Sequence, residues 1–154
     1  MASDDDYSVI RVFPDYADSV MWFIIGTVSY DESCVSDTLR RDMEAWESHY
    51  CQAMGDDLVW RSPDDEKYHV AEGRRLAESL SVEVGHAFEV EYFDEGDRKV
   101  RVRSDERASN ERAARAFADV RASHTELIAR IERETEAGAV FGWFANDPND
   151  EARE

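Results

Sequence analysis

Phe88-Glu89-Val90-Glu91-Tyr92-Phe93-Asp94-Glu95-Gly96-Asp97-Arg98-Lys99-Val100-Arg101-Val102-Arg103 holds two alternating runs on either side of a glycine-bearing turn. Alternation with a period of two is the mark of a half-buried strand, and the turn predicts a β-hairpin. Setting Tyr92 opposite Val100 and Val90 opposite Val102 gathers one apolar face. The same register places Glu91 against Arg101 and Glu89 against Arg103, read here as a solvated ladder. A slip of one residue destroys both matches, so the register is nearly forced. The ladder also gives the chain's most basic stretch a structural reason, which removes it as an RNA-binding strand.

Working outward, Tyr7-Ser-Val-Ile-Arg-Val-Phe13 is rich in branched and aromatic residues and predicts a further strand, ended by Pro14. The apolar run Val20-Met21-Trp22-Phe23-Ile24-Ile25 fits either a short buried strand or a packed irregular segment, broken at Gly26. Three helices follow from capping and periodicity. The first starts at Ser36, carries the apolar stripe Leu39, Met43, Trp46, Tyr50 and Met54, and closes at Gly55. The second opens at Ser62-Pro63, lines one face with Val70, Gly73, Ala77, Leu80 and Val84, and stops at Gly85. The third is capped by Ser109 or Asn110 and repeats Ala113, Phe117, Val120, His124, Leu127 and Ile131. The predicted class is α+β: a small antiparallel sheet made of strand 7–13 and the 88–103 hairpin, covered by three helices. Residues 1–144 read as one globular domain, and 145–154 as an acidic, disordered tail.

Thirty-six carboxylates against eighteen cations give the 154-residue chain a net charge of −18. Such a charge repels nucleic acid and anionic membranes, since no phosphate counterions can be displaced. The first 57 residues hold thirteen acids and three arginines (Arg11, Arg40 and Arg41), a net −10, leaving −8 for the rest. Lysine occurs only at Lys67 and Lys99, a composition that also fits adaptation to a salty interior. The acidic opening Met1-Ala2-Ser3-Asp4-Asp5-Asp6 is unlike a secretory signal. The two cysteines, Cys34 and Cys51, have no redox or metal spacing, so a cytoplasmic setting is expected.

Catalytic and metal chemistry find little support. Glu66-Lys67-Tyr68-His69 has the spacing of carboxylate-bridged metal bundles, but Glu83-Val84-Gly85-His86, the other match, straddles a helix end. No nucleophile elbow and no phosphate-cradling glycine loop occurs. Asp31 and Glu32 beside Cys34 disfavour its thiolate. No catalytic residue, metal site or cofactor is therefore assigned. Trp22-Phe23, Trp60 and Phe141-Gly142-Trp143-Phe144 fall outside the predicted helices, as core plugs or as a patch rimmed by acids.

Asp15-Tyr16-Ala17 ahead of Trp22-Phe23, the helix with Trp46 and Tyr50, Val70-Ala71-Glu72-Gly73-Arg74, and Phe88 to Phe93 resemble small acidic actinobacterial proteins without an assigned function. The resemblance covers residues 9–104. It implies a free-standing cytoplasmic domain and no activity, cofactor or catalytic residue.

The expected function is that of a non-enzymatic interaction protein that binds a basic or mixed-charge protein, by analogy with toxin-neutralising immunity proteins or regulators. Asp37, Asp42, Glu44, Glu47, Asp56 and Asp57 are the candidate acidic contacts, with Trp22 or Trp60 as anchor. The alternatives are a small enzyme or ligand-binding domain with a pocket between helices and sheet, and a charge that serves only as solvent adaptation.

Overall fold

The computed structural model describes residues 7–138. The predicted tail and the aromatic segment at 141–144 lie outside them. Chain contacts divide the protein into two compact units, Met1–Arg121 and Ala122–Glu154.

The first unit holds a five-stranded sheet in the order β3-β2-β1-β4-β5. Its strands are β1 (Val9–Val12), β2 (Met21–Phe23), β3 (Gly26–Thr27), β4 (Glu89–Asp94) and β5 (Arg98–Val102). The hairpin forms in the expected register, with Val90 opposite Val102, Glu91 opposite Arg101 and Tyr92 opposite Val100. A single 3-10 turn at Glu95–Asp97 joins its strands.

The sheet is mixed rather than antiparallel throughout, because β1 runs parallel to β4, with Arg11 opposite Glu91. Alternation sets which residues share a face and is blind to strand direction, so the sequence carried no sign of this. The parallel pairing changes the chemistry of the ladder. Glu91 receives Arg101 from one side at 2.9 Å and Arg11 from the other at 3.3 Å, and is only 4% exposed. It is a buried carboxylate between two arginines, not the solvated one expected. Residues 20–25 resolve as strand β2 followed by a turn at Ile24-Ile25, and Gly26 continues the sheet as β3 instead of breaking it.

The helices are α1 (Tyr30–Ser33), α2 (Asp37–Ala53), α3 (Pro63–Val84) and α4 (Glu111–Glu136). The short α1 was not predicted, although Ser29 caps it by accepting from the Glu32 amide. Ser36 caps α2 by accepting from the Leu39 amide, and Ser62 caps α3 by accepting from that of Asp65. Gly85 ends α3 with φ +75, and a Cβ there would lie 2.4 Å from the Ala108 amide nitrogen. Met54, in extended backbone, ends α2 in place of Gly55. Asn110 caps α4 through the Ala113 amide, and its Nδ2 donates to the Cys34 carbonyl and to Glu83. Glu83 also accepts from the Ser36 hydroxyl and amide, which ties the ends of three helices together.

The core between helices and sheet centres on Phe23, Phe88 and Phe117, whose rings meet at 5.7–6.1 Å. Ile10, Val12, Met43, Leu76, Leu80 and Val90 surround them, each almost wholly buried. Every such side chain contributes roughly 1.5–3 kcal/mol. In the second unit α4 continues from Ala122 to Glu136, with Arg130 and Glu134 3.9 Å apart and Ile131 largely exposed.

Candidate partner-binding site

Where α2 and α3 pass the hairpin turn they leave a cavity of about 290 Å³, lined by residues that include Phe13, Tyr50, Trp60, His69, Phe93 and Asp97. Its floor depends on a glycine. A Cβ at Gly73 would stand 2.8 Å from the Trp46 ring, so the bare backbone is what lets that indole lie flat against α3. Trp46 is buried and donates its Nε1 hydrogen to the His69 carbonyl at 3.0 Å. The His69 ring stacks on it at 4.6 Å, nearly parallel. Tyr50 and Trp60 close around His69 at 5.3 and 4.9 Å.

Burial first, and the neighbouring His49 second, push the His69 imidazole down to about 4, so it is neutral at pH 7. Its Nδ1 is buried and finds no hydrogen-bond partner among the described residues. His49 is itself held by Asp65 at 3.1 Å. Acids stand at the cavity's edge. Asp94 is paired with Arg98 at 2.7 Å, whereas Glu66 and Asp97 are exposed and form no ion pair among the described residues. A second hollow of about 520 Å³ shares Glu66, Val70, Asp94 and Gly96 with the first and continues it along α3.

Trp60 closes a small loop whose ends meet as an antiparallel bridge between Met54 and Trp60. The Gly55 amide donates to the Val59 carbonyl and the Leu58 amide to the Gly55 carbonyl, while the Asp57 carboxylate accepts from the Val59 amide. Leu58 sits at φ +60, a left-handed conformation that a leucine rarely adopts. The loop leaves Leu58 71% and Val59 59% exposed, flanked by Asp56 and Asp57. Tyr16 is 69% exposed, also at positive φ, with its ring 6.2 Å from Tyr50.

The residues singled out from sequence separate accordingly. Trp60, Asp56 and Asp57 come together on this face. Trp22 lies elsewhere, stacked on Phe13 at 5.0 Å with its Nε1 hydrogen given to the Phe13 carbonyl; Phe13 in turn lines the cavity. Asp42 is engaged by Arg75 at 3.0 Å and Glu44 by Arg40 at 3.2 Å. Glu47 is half-buried, and burial with the nearby Glu44 holds its carboxyl above the usual range. Asp37 is exposed in the first turn of α2. Tyr16, Leu58, Val59, His69 and Asp97, which also lie in or beside this face, were not among the candidate contacts. An apolar pair directly after two aspartates was the available signal at 58–59, whereas left-handed backbone leaves no trace in composition. Among the described residues no group of three or more His, Cys, Asp or Glu is placed to hold a metal, and no helix is long and apolar enough to cross a membrane.

A family model described as Serratia CdiI immunity protein-like matches residues 8–95. The chain belongs to that immunity-protein-like family. The matched segment runs from β1 to the hairpin turn, so it contains every cavity-lining residue except Gly96 and Asp97. No curated protein and no solved structure matches significantly. Family membership fits an immunity-type role exercised by binding a protein. It is consistent with a site made of aromatic and apolar surface with acids at its edge.

Proposed function

We propose that this protein is a cytoplasmic immunity protein that neutralises a toxic partner by binding it, and that the partner presents a basic or mixed-charge surface. The geometric observation carrying this reading is the Gly55–Trp60 loop. It holds two apolar side chains in water, Leu58 on strained backbone, beside two aspartates that form no ion pair among the described residues and next to an aromatic cluster. Folding alone gives no reason to expose Leu58 and Val59 at a cost in backbone energy, whereas an interface that covers them does. The acids around them steer a basic partner and raise its rate of encounter.

Capture from lysate of the source cells at about 0.1 M salt, where surface charges still act over roughly 10 Å, tests the reading. A charge-matched acidic protein serves as control. One partner retained by this chain and absent from the control supports it. Only proteins shared with the control, all removed by salt, would refute it.

A further inference from the structure

The cavity beside the loop has a lining that discriminates by charge, and this bears on what the partner inserts. Its walls combine the rings of Tyr50, Trp60 and His69 with Phe13 and Phe93, whose rings meet edge to face at 5.8 Å. Aromatic faces carry negative potential and attract cations held close to them. His69, neutral at pH 7, adds ring surface without adding positive charge. Glu66 and Asp97 stand at the edge with carboxylates that no arginine or lysine among the described residues engages. Other acids in the first unit's helices and hairpin do have such partners: Asp31, Asp42, Glu44, Glu72, Glu78, Glu89, Glu91 and Asp94 are each paired with arginine. A volume of about 290 Å³ lies at the small end of ligand pockets and is enough for one side chain.

We infer that this cavity receives a cationic side chain of the protein partner, arginine by preference, laid against the aromatic lining and paired with Glu66 and Asp97. Arginine is favoured over lysine because its planar, weakly hydrated guanidinium stacks on rings and can bridge two carboxylates at once. The inference rests on the protein-binding reading above and specifies its anchor: the exposed Leu58–Val59 tip supplies apolar contact, and the cavity reads charge and shape.

The test uses the full chain and side-chain mimics: N-ethylguanidinium for arginine, n-butylammonium for lysine and the neutral N-ethylurea as control. Amide and indole NMR shifts are followed during titration. N-ethylguanidinium should move the Trp46 and Trp60 indole signals and the amides around Glu66 and Asp97, saturating in about the millimolar range expected of so small a ligand. The ammonium should bind more weakly and the urea leave the cavity signals still. Glu66→Gln with Asp97→Asn should weaken the guanidinium about three- to tenfold, as loss of two exposed ion pairs implies. Both positions are exposed, and asparagine tolerates the left-handed backbone of residue 97 (φ +58), so an unchanged melting temperature confirms an intact fold. Equal shifts with N-ethylurea, or shifts spread over the acidic surface away from Trp60, would overturn the inference.

The captured partner separates the two claims. It should lose affinity with both Glu66→Gln/Asp97→Asn and Asp56→Asn/Asp57→Asn, while only the first pair alters guanidinium binding. A partner indifferent to the first pair but sensitive to the second overturns the cavity inference and leaves the protein-binding reading intact. If no partner exists both fall, and saturable guanidinium shifts would then mark the cavity as a site for a free organic cation.

Discussion

At the scale of single residues, three positions show how local physics sets up the fold and the site. Leu58 occupies backbone that costs an L-residue roughly 1–2 kcal/mol, a cost glycine escapes. Leu58→Gly should therefore leave stability unchanged or raise it by up to about 1 kcal/mol, glycine's larger unfolded-state entropy offsetting part of the gain. The same variant should bind the partner less well, and comparing urea midpoints with dissociation constants checks both signs. His69 supplies a pH signature. In the unfolded chain a histidine takes up its proton near 6.5, but in the fold burial delays this until about pH 4. Between those values the unfolded state binds more protons, so the stabilisation is complete above about pH 6.5 and is lost as the pH falls toward 4. Allowing for partial exposure of the ring, the loss is on the order of 2 kcal/mol. Denaturation at pH 7.5 and 4.5 should show a larger drop for the native protein than for His69→Gln. Glu91 lies under Arg11 and Arg101, so Glu91→Gln should cost about 1–3 kcal/mol, measurable by thermal melting.

At the scale of elements, the helices and the hairpin were legible because each depends on local signals. Ser36 and Ser62 sit where caps belong, apolar residues recur at the helical period, and the Glu–Arg matches left the hairpin one register. The parallel pairing of β1 with β4 was not legible, since strand direction depends on the path of the intervening chain and not on alternation. The short α1 and the turn at Ile24-Ile25 escaped for a related reason: positive φ at Ile24 and Cys34 is imposed by packing and has no glycine to announce it. The site was partly legible. Trp60 with Asp56 and Asp57 could be picked out as an aromatic anchor near acids, but His69, Phe93 and Asp97 join it only through folding. Gly73 is the element-scale test. The added methyl in Gly73→Ala meets the rigid Trp46 indole at 2.8 Å, so α2 and α3 must part or the ring must turn. Despite alanine's better helix propensity, stability should fall by about 1–3 kcal/mol, as overpacking does, with altered Trp46 fluorescence.

At the scale of the whole molecule, the proposed function gives the net charge of −18 two roles that salt distinguishes. Self-repulsion among so many carboxylates is relieved by added salt, which raises the melting temperature whatever the function. Recognition behaves in the opposite sense, because screening slows the encounter of an acidic face with a basic partner. The proposed immunity role joins this charge to the aromatic face in one account, in which a partner is steered by acids, gripped at Leu58 and Val59, and anchored beside Trp60. The most direct test is growth of a host cell that expresses the captured partner, alone and together with this protein. The account predicts arrest by the partner alone, recovery with the native chain, and poorer recovery when Asp56→Asn, Asp57→Asn and Leu58→Gly are combined. A partner harmless by itself, or recovery untouched by those three substitutions, would contradict it.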